Sequence, residues 1–384
     1  MVRAPARGKR CSASSLLLYV MLISIYICLS FLVFLSASGQ PDTILKNKYT
    51  ARLLIISFVL ISTLSLSTGK ILVAPVDAPF THVDTPYYIN DFKSYSDSSI
   101  QDAFHRSHLE PLTTLSLWLL SKISDSNTFF VLSIWLLSLL LLVIGLGKLF
   151  TSWQLLFVFF TYLNFIFFYS YSTHVIRQGL SMLLLILALC LMISEDNKWF
   201  YVCVLAAPFF HVSALPFALL LLLLKRFNIA LKALVSIWLA FALLFITGLN
   251  RVLFAFVGNY YEHLKSYNSF EVLRNYPSIN RLDFLLFSSV FLIIGIVLYI
   301  KWAGDKKKYG IMLNAYILFN IIFLMFGFIG YSDRLASYSW ILIPILIWFP
   351  ILKPKGSYKP YVPSILIIAV IVIGLLTGAA QYLF

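Results

Sequence analysis

Long apolar runs separated by short polar stretches dominate the chain. A helix needs about 20 mostly apolar residues to cross a hydrocarbon core about 30 Å thick. Backbone groups in lipid must be paired within their own segment, and these runs lack the strict alternation of barrel strands, so we expect helices. The runs that meet or approach the required length are 16–36, 52–68, 128–147, 153–170, 175–193, 233–249, 283–300, 311–330, 335–352 and 361–380.

Two further apolar stretches fit a membrane span less well. Residues 111–123 reach only about 20 Å as a helix, and residues 199–224 are interrupted by Pro208. Either 111–123 crosses the membrane and 199–224 is one straight helix, or 111–123 lies on the outer surface and 199–224 enters the membrane and returns. We favour the second topology, because each half of 199–224 reaches only to about mid-depth.

The composition agrees with this pattern. Hydrophobic residues make up 61% of the 384 positions and charged residues only 11%, whereas a soluble domain is about half apolar and a quarter charged. A soluble enzyme and a nucleic-acid-binding protein are therefore excluded. We predict an all-α polytopic transmembrane helix bundle with about 10–12 membrane segments, forming a single integral membrane domain over residues 1–384.

Basic residues between the runs indicate the orientation of the bundle. By the positive-inside rule, we expect four basic clusters to face the cytoplasm. These clusters contain Lys46, Lys48 and Arg52; Lys225, Arg226 and Lys232; Lys301 and Lys306–Lys308; and Lys353, Lys355 and Lys359. The two long loops, 69–110 and 250–282, hold most of the acidic residues and are predicted to be extracytoplasmic. The basic N-terminal tail does not fit, because this topology requires it outside.

His211 is the only ionisable residue deep inside an apolar segment. Titratable groups within a membrane are rare and usually face a cavity or a partner, so His211 is a functional candidate. Its ordinary pKa lies near 6.5, and a neutral imidazole can accept a proton. The structural alternative is a histidine that bonds a helix carbonyl exposed by Pro208.

Arg177 follows a polar and aromatic stretch, at the start of an apolar helix that continues through Gln178. A guanidinium at a helix N-terminus adds to the positive end of the helix dipole and favours anions. His174 lies three residues earlier, so we expect it to share a helix face with Arg177. The structural alternative is an arginine that extends to the membrane interface.

Polar residues near the outer ends of the apolar runs are further candidates. Asp333 and Arg334 precede Tyr338 by about one turn, and form either a local ion pair or part of an outward cavity. The two long loops are rich in aromatic and charged residues, which suit sugar rings but also suit an interfacial aromatic belt. From these loops we expect substrate contacts at Tyr88, Asp91 and Arg281.

Several common motifs are absent from the sequence. There is no P-loop, no G-x-S-x-G, no H-E-x-x-H and no D-x-D that would hold a metal-bound nucleotide sugar. Charged pairs do not recur along the helices, as an ion path would require. We therefore expect no metal and no cofactor.

The ordered set of short motifs resembles the EpsG family of polysaccharide polymerases, which are similar in role to the Wzy O-antigen polymerases. The resemblance covers about residues 50–345. The motifs are Asp84-x-x-x-Tyr88-x-x-x-Phe92, Glu110-Pro111, Ile176-Arg177-Gln178-Gly179-Leu180, Ala207-x-x-Phe210-His211-x-Ser213-Ala214 and Asp333-Arg334-x-x-x-Tyr338.

This resemblance implies an enzyme of the bacterial inner membrane. Such polymerases move a growing glycan from undecaprenyl pyrophosphate to a sugar hydroxyl of another lipid-linked repeat unit on the outer side, and a chain-length regulator is a possible partner. His211 or Asp84 is then the expected base, and Arg177 and Arg334 are expected to stabilise the leaving pyrophosphate. No metal is required, and nucleic acid is not an expected partner.

Two other functions remain open from the sequence. One is a different membrane glycosyltransferase that uses a polyprenyl-phosphate sugar donor, with aspartates of loop 69–110 as the base. The other is a flippase or permease for lipid-linked glycans, in which Arg177 and His211 line the transport path.

Overall fold

The computed structural model describes residues 13–38, 47–67, 84–260, 280–357, 359 and 361–376, and in these ranges the regular structure is helical apart from one β-bridge, Ala303–Pro354. The first half of the chain contains α1 (Ala13–Ser38), α2 (Lys48–Ser67), α3 (Thr85–Ser94), α4 (Ile100–Arg106), α5 (Pro111–Ser121), α6 (Asn127–Gly147), α7 (Ser152–Leu163), α8 (Ile166–Thr173) and α9 (Ile176–Ile193). The second half contains α10 (Asn197–Phe210), a 3-10 turn (Val212–Ala214), α11 (Leu215–Arg226), α12 (Leu231–Thr247), α13 (Leu249–Tyr260), α14 (Leu282–Lys301), α15 (Lys306–Phe326), α16 (Ser332–Trp340), α17 (Ile343–Leu352) and α18 (Tyr361–Leu376). The N-terminal tail, residues 68–83 and residues 261–279 of the predicted loops lie outside the described residues.

The helices confirm a polytopic bundle. Among the described residues, seven helices are long and apolar enough to cross a membrane, or nine when each of two sharply bent helix pairs counts as one span. The described parts of all ten apolar runs are mostly helical, although residues 327–330 lie beyond the end of α15 and α18 is shorter than a full span over its described length. The run 335–352 is divided into α16 and α17 by a short turn.

The sequence predicts one straight span over residues 153–170, and the structure shows that this prediction is wrong. It bends by 71° between α7 and α8. Asn164 caps the end of α7, donates from Nδ2 to the Phe160 carbonyl and accepts a hydrogen bond from Tyr26 of α1. A polar side chain with partners inside an apolar run therefore ends the helix where hydropathy alone predicts continuation.

A second bend lies at the border of the second predicted loop. Gly248 adopts a left-handed backbone conformation, with φ at +75°, and α12 and α13 meet there at 99°. Glycine is the residue that accepts this conformation without steric cost. The predicted loop 250–282 thus begins with a helix, and the predicted loop 69–110 contains α3 and α4.

Residues 199–224 form a helical hairpin, which confirms the predicted reversal. The helix α10 ends at Phe210, and α11 begins at Leu215 after the 3-10 turn. The ammonium group of Lys225, near the end of α11, lies 5.7 Å from the ring of Phe200, near the start of α10. The two arms are therefore antiparallel, and the tip of the hairpin is the segment around His211.

The central element of the bundle is α9, whose side chains are almost all buried. It packs against α6, α8 and α10. Gly179 permits the closest of these approaches, because a Cβ atom built there would lie 1.7 Å from the carbonyl oxygen of Tyr171 in α8. The N-terminal end of α9 is thereby fixed beside the hairpin tip.

The two ends of α9 define the two ends of the molecule. Its 18 residues span about 27 Å, with Arg177 at the start and the Lys148–Asp196 ion pair just beyond the finish. Because α10 and α11 run back and forth beside α9, Lys225 lies at the same end as Lys148, far from Arg177. By the positive-inside rule this basic end is predicted to be cytoplasmic.

Candidate active site

Short helices of the first loop position one wall of the site. Proline occupies the first turn of both α3 and α5, where its missing N–H costs no helical hydrogen bond. At the far end of α5, Lys122 donates to the carbonyls of Tyr95, Ser96 and Ser98, and this ties α5 to the segment between α3 and α4. The first residues of α5 are thereby held against the bundle.

Glu110, which immediately precedes α5, is the centre of the site. Its Oε2 accepts a hydrogen bond from Nη1 of Arg177 at 2.7 Å. Its Oε1 accepts one from Nδ1 of His211 at 2.8 Å and one from the backbone N–H of Val212 at 3.1 Å. One carboxylate therefore joins the loop, the start of α9 and the tip of the hairpin.

These interactions decide the charge state of Glu110. Burial opposes ionisation, but the hydrogen bond from His211 and the positive charge of Arg177 outweigh it and lower the pKa of Glu110 to about 2. An ionised carboxylate accepts hydrogen bonds and cannot donate one. The bond to His211 is therefore donated from Nδ1–H, and in the neutral imidazole Nε2 is left as a proton acceptor.

The break in the hairpin presents His211 to this carboxylate. The backbone of His211 is extended, with φ at −157°, and it ends α10 three residues after Pro208. Thr113 of α5 donates to the carbonyl of Phe210 at 2.8 Å, so a carbonyl at the end of the helix has a partner. The chain reversal thus aims the imidazole sideways towards Glu110 rather than along the helix.

A second ion pair lies beside the first. Nη2 of Arg334, in α16, is 3.3 Å from Oδ2 of Asp84, which precedes α3. One turn later in α3, the hydroxyl of Tyr88 accepts a hydrogen bond from Nε of Arg177 at 3.0 Å. Gln178 donates to the backbone carbonyl of Arg334. Neighbouring residues of α3 and of α9 therefore connect the two ion pairs.

Tyr338 of α16 contacts both the hairpin tip and α9. Its hydroxyl is 2.9 Å from Oγ of Ser213 and 3.1 Å from Oγ of Ser181, and its ring stacks on Phe217 with centroids 3.8 Å apart. Only 1% of Tyr338 is exposed. It therefore fixes the hairpin tip against α9 and α16, and this geometry supports a positioning role.

Other predicted residues lie around these ion pairs. Burial raises the pKa of Asp91, and the charges of His108 and Arg177 act against this rise. Asp333 occupies the first turn of α16, immediately before Arg334. Arg334 itself reaches across to Asp84 of the first loop.

The sequence predicts that His174 and Arg177 share a helix face, and this prediction is wrong. The helix α8 ends at Thr173 and α9 begins only at Ile176, with non-helical dihedral angles at Val175 between them. His174 instead bonds the hydroxyl of Thr173 at 2.7 Å and lies close enough to Asp84 for their charges to interact. Helical spacing does not apply across a break in the helix.

Arg281, which the sequence predicts as a substrate contact, has an acidic partner of its own. It precedes α14, where it pairs with both carboxylate oxygens of Asp283 and lies 4.2 Å from the ring of Phe284. Its side chain is 42% exposed. A partner two residues away explains its charge without a substrate.

Glu110 is the residue that the sequence interpretation left out of the site. It was noted only as the acid before Pro111. Its signal was present, because it is the last charged residue before the apolar stretch of α5 and stands at the N-cap position before a proline. What the sequence did not contain was its distance to Arg177 and His211.

Together, these groups can move a proton and hold an anion. A carboxylate that fixes the tautomer of a histidine leaves the second ring nitrogen to act as a base. Arg177 uses Nη1 and Nε in the described contacts, and Nη2 is left to donate to a negatively charged ligand. A polytopic helical membrane protein with such a site at one end is typical of an enzyme that acts on a membrane-anchored substrate.

The chain belongs to the EpsG family, whose model matches residues 70–380. Members of this family are Wzy-like polymerases, so the chain is a multi-pass membrane polymerase of polysaccharide. The chain gives no significant match to a curated protein or to a solved structure.

Proposed function

We propose that this polymerase joins oligosaccharide repeat units carried on undecaprenyl pyrophosphate at the outer face of the bacterial inner membrane. It transfers the growing glycan to a sugar hydroxyl of the next lipid-linked unit, to make O-antigen, capsule or exopolysaccharide. The observation that carries the proposal is the Glu110 carboxylate, which holds His211 and Arg177 together at one end of the bundle. That end is opposite to the one that the basic clusters predict to be cytoplasmic.

In the proposed step, His211 acts as the base. The acceptor hydroxyl oxygen forms a bond to the anomeric carbon of the growing glycan, and its proton passes to Nε2 of His211. The bond from that carbon to the pyrophosphate oxygen breaks, and its electron pair leaves with the pyrophosphate. Glu110 stabilises the resulting imidazolium, as a carboxylate does in other paired histidine sites.

Two arginines are proposed to bind the departing pyrophosphate. Charge-assisted hydrogen bonds from guanidinium groups to phosphate oxygens are short and strong, and they oppose the charge that develops in the transition state. Arg177 stands in the first turn of α9, where the helix dipole adds to its charge. Asp84 is a weaker candidate for the base than His211, because its carboxylate is paired with Arg334.

The test is a glycan ladder from a strain that lacks its own polymerase gene. We expect the wild-type chain to restore long glycans, and His211→Ala and Arg177→Ala variants to give a surface capped with a single repeat unit. The matched controls are His105→Ala and Arg106→Ala in α4. Both side chains are exposed, and they lie in the predicted loop that also contains Glu110. Membrane-fraction yields of all four variants check that they are inserted.

Three results would contradict the proposal. A ladder of normal length from either the His211 or the Arg177 variant removes its chemical basis. Lipid-linked units that accumulate on the cytoplasmic side of the deletion strain would instead indicate a flippase. Purified protein supplied with pyrophosphate-linked repeats should extend them in excess EDTA, whereas extension only from a polyprenyl-phosphate sugar would indicate the other glycosyltransferase.

A further inference from the structure

A cavity of about 560 Å³ lies at the basic end of the molecule, opposite to the candidate active site. Its rim carries four cationic side chains: Lys225 and Arg226 at the end of α11, and Lys306 and Lys307 at the start of α15. Its walls include the apolar side chains of Phe227 and Ile311. A cationic rim over an apolar wall is a suitable shape for the charged head of an amphiphile.

The four cations have no carboxylate partner among the described residues. At the other end of the bundle, by contrast, both site arginines are paired with acids. The positive-inside rule accounts for basic residues in these loops, but it does not require them to gather around one cavity. The combined positive charge of four such side chains favours an anion in the cavity.

The N-terminus of α12 also contributes to this cavity. Ala230 and Leu231 line it, and Ala230 occupies the N-cap position without a side chain that could accept a hydrogen bond. The first N–H groups of a helix need acceptors from outside the helix, and an anion supplies them while it is also favoured by the helix dipole.

Asn314 also belongs to the lining of the cavity, and only 7% of the residue is exposed. Nδ2 donates to the carbonyl of Ile229 at 2.9 Å, which fixes the orientation of the amide. Oδ1 is buried away from solvent, so it is not a contact for a ligand in this arrangement. Asn314 therefore joins α15 to the segment before α12 at the wall of the cavity.

We propose that this basic cavity, defined by Lys225, Arg226, Lys306 and Lys307, binds a phosphate group. The phosphate accepts hydrogen bonds from the four cations and from the start of α12. The ligand is either the headgroup of an anionic phospholipid or a soluble phosphate ester. The site is independent of the proposed polymerase chemistry, because it lies at the opposite end of α9.

Native mass spectrometry of the full-length chain provides the test. The wild-type protein in nanodiscs of phosphatidylglycerol and phosphatidylcholine should retain phosphatidylglycerol through delipidation. An Arg226→Gln and Lys307→Gln double variant should bind it at least tenfold more weakly. The matched control is Lys301→Gln with Lys355→Gln, which removes two exposed charges from the same end without touching the cavity lining.

Competition by glycerol phosphate separates the two sources of the phosphate group. If it displaces the retained lipid or raises the melting temperature of delipidated wild-type protein, the site accepts a soluble ester, and if only the lipid binds, the headgroup is the ligand. Either result supports the proposal when the double variant loses binding and the control does not. Equal retention by wild type, double variant and control overturns it. If the double variant fails to fold, wild-type retention that does not weaken in high salt overturns it equally.

Discussion

The two ends of the bundle differ in how their charged side chains are paired. At the candidate active site, Glu110 is paired with Arg177 and Asp84 with Arg334, and the side chains in these pairs are at most 30% exposed. At the basic cavity, four cations converge without a described carboxylate partner. Paired charges tolerate burial because each compensates the desolvation of the other, whereas unpaired cations remain accessible to water or to an anion.

This difference indicates what each end is built to do. A buried, paired site is rigid, and rigid groups keep a base and an anion-binding cation in a fixed geometry. A cationic site without carboxylate partners attracts anions from a distance and weakens in salt.

Gly179→Ala is expected to prevent folding at the paired end. The added Cβ would lie 1.7 Å from the Tyr171 carbonyl oxygen, and a backbone atom cannot move aside as a flexible side chain does. Gly304→Ala at the basic end meets the Lys353 carbonyl oxygen at 2.8 Å and should be milder. Gly147→Ala, with nothing within 4 Å, is the control. The measurement is the yield and melting temperature of purified protein, and a normal yield for the Gly179 variant would contradict the packing described.

Arg177→Gln should destabilise the protein by about 3 kcal/mol, at the low end for removal of one partner of a buried ion pair. The value is low because Arg177 and Glu110 retain 24% and 15% exposure. Lys307→Gln at the basic end should change the free energy of unfolding by no more than about 0.5 kcal/mol. Denaturant titration of both variants checks the contrast, and equal losses would show that pairing does not distinguish the two ends.

Glu110→Gln should remove the contribution of Glu110 to the pH dependence of stability in the acid range. In the folded protein the pKa of Glu110 is lowered from 4.5 to about 2, so its ionised form stabilises the fold above pH 4.5 and this contribution is lost as the pH falls towards 2. We expect wild type to exceed the variant by about 2 kcal/mol at pH 7, after allowance for partial exposure. The difference should shrink at acid pH, and a constant difference would argue against the ionised carboxylate.

The Asp84–Arg334 pair should show a coupling of about 1 kcal/mol in a double-mutant cycle of Asp84→Asn and Arg334→Gln. Its separation of 3.3 Å and partial exposure place it between a buried and a surface pair. The cycle of Asp283→Asn and Arg281→Gln, in the more exposed pair, is the control and should give less coupling. The reverse order would show that Arg334 is held by contacts other than Asp84.

Hydropathy and segment length predicted much of the fold, because lipid permits few backbone arrangements. The described parts of the ten apolar runs are mostly helical. Pro208 and the short length of each arm predicted the hairpin, whose tip is the segment around His211. The bend at Asn164 was not predicted, since it depends on a hydrogen bond from Tyr26, a partner 138 residues away.

The candidate site was predicted in part. Arg177 and Arg334 were identified near the ends of apolar runs, His211 inside an apolar segment, and Asp84 in a loop motif. Glu110 was not included, because an acid at the end of a polar loop is unremarkable until its neighbours are known. His174 was assigned to the wrong helix face, because periodicity could not locate the break at Val175.

The sequence by itself determined which segments are helical and which charged residues stand at their ends, since those properties depend on neighbours along the chain. Only the tertiary structure decided which charges are neutralised by partners and which converge unpaired on a cavity. That division depends on distances between residues that are about 70 to 250 positions apart, such as Glu110 and Arg177 or Asp84 and Arg334. Coulomb energies and desolvation act across space, so no local pattern encodes them.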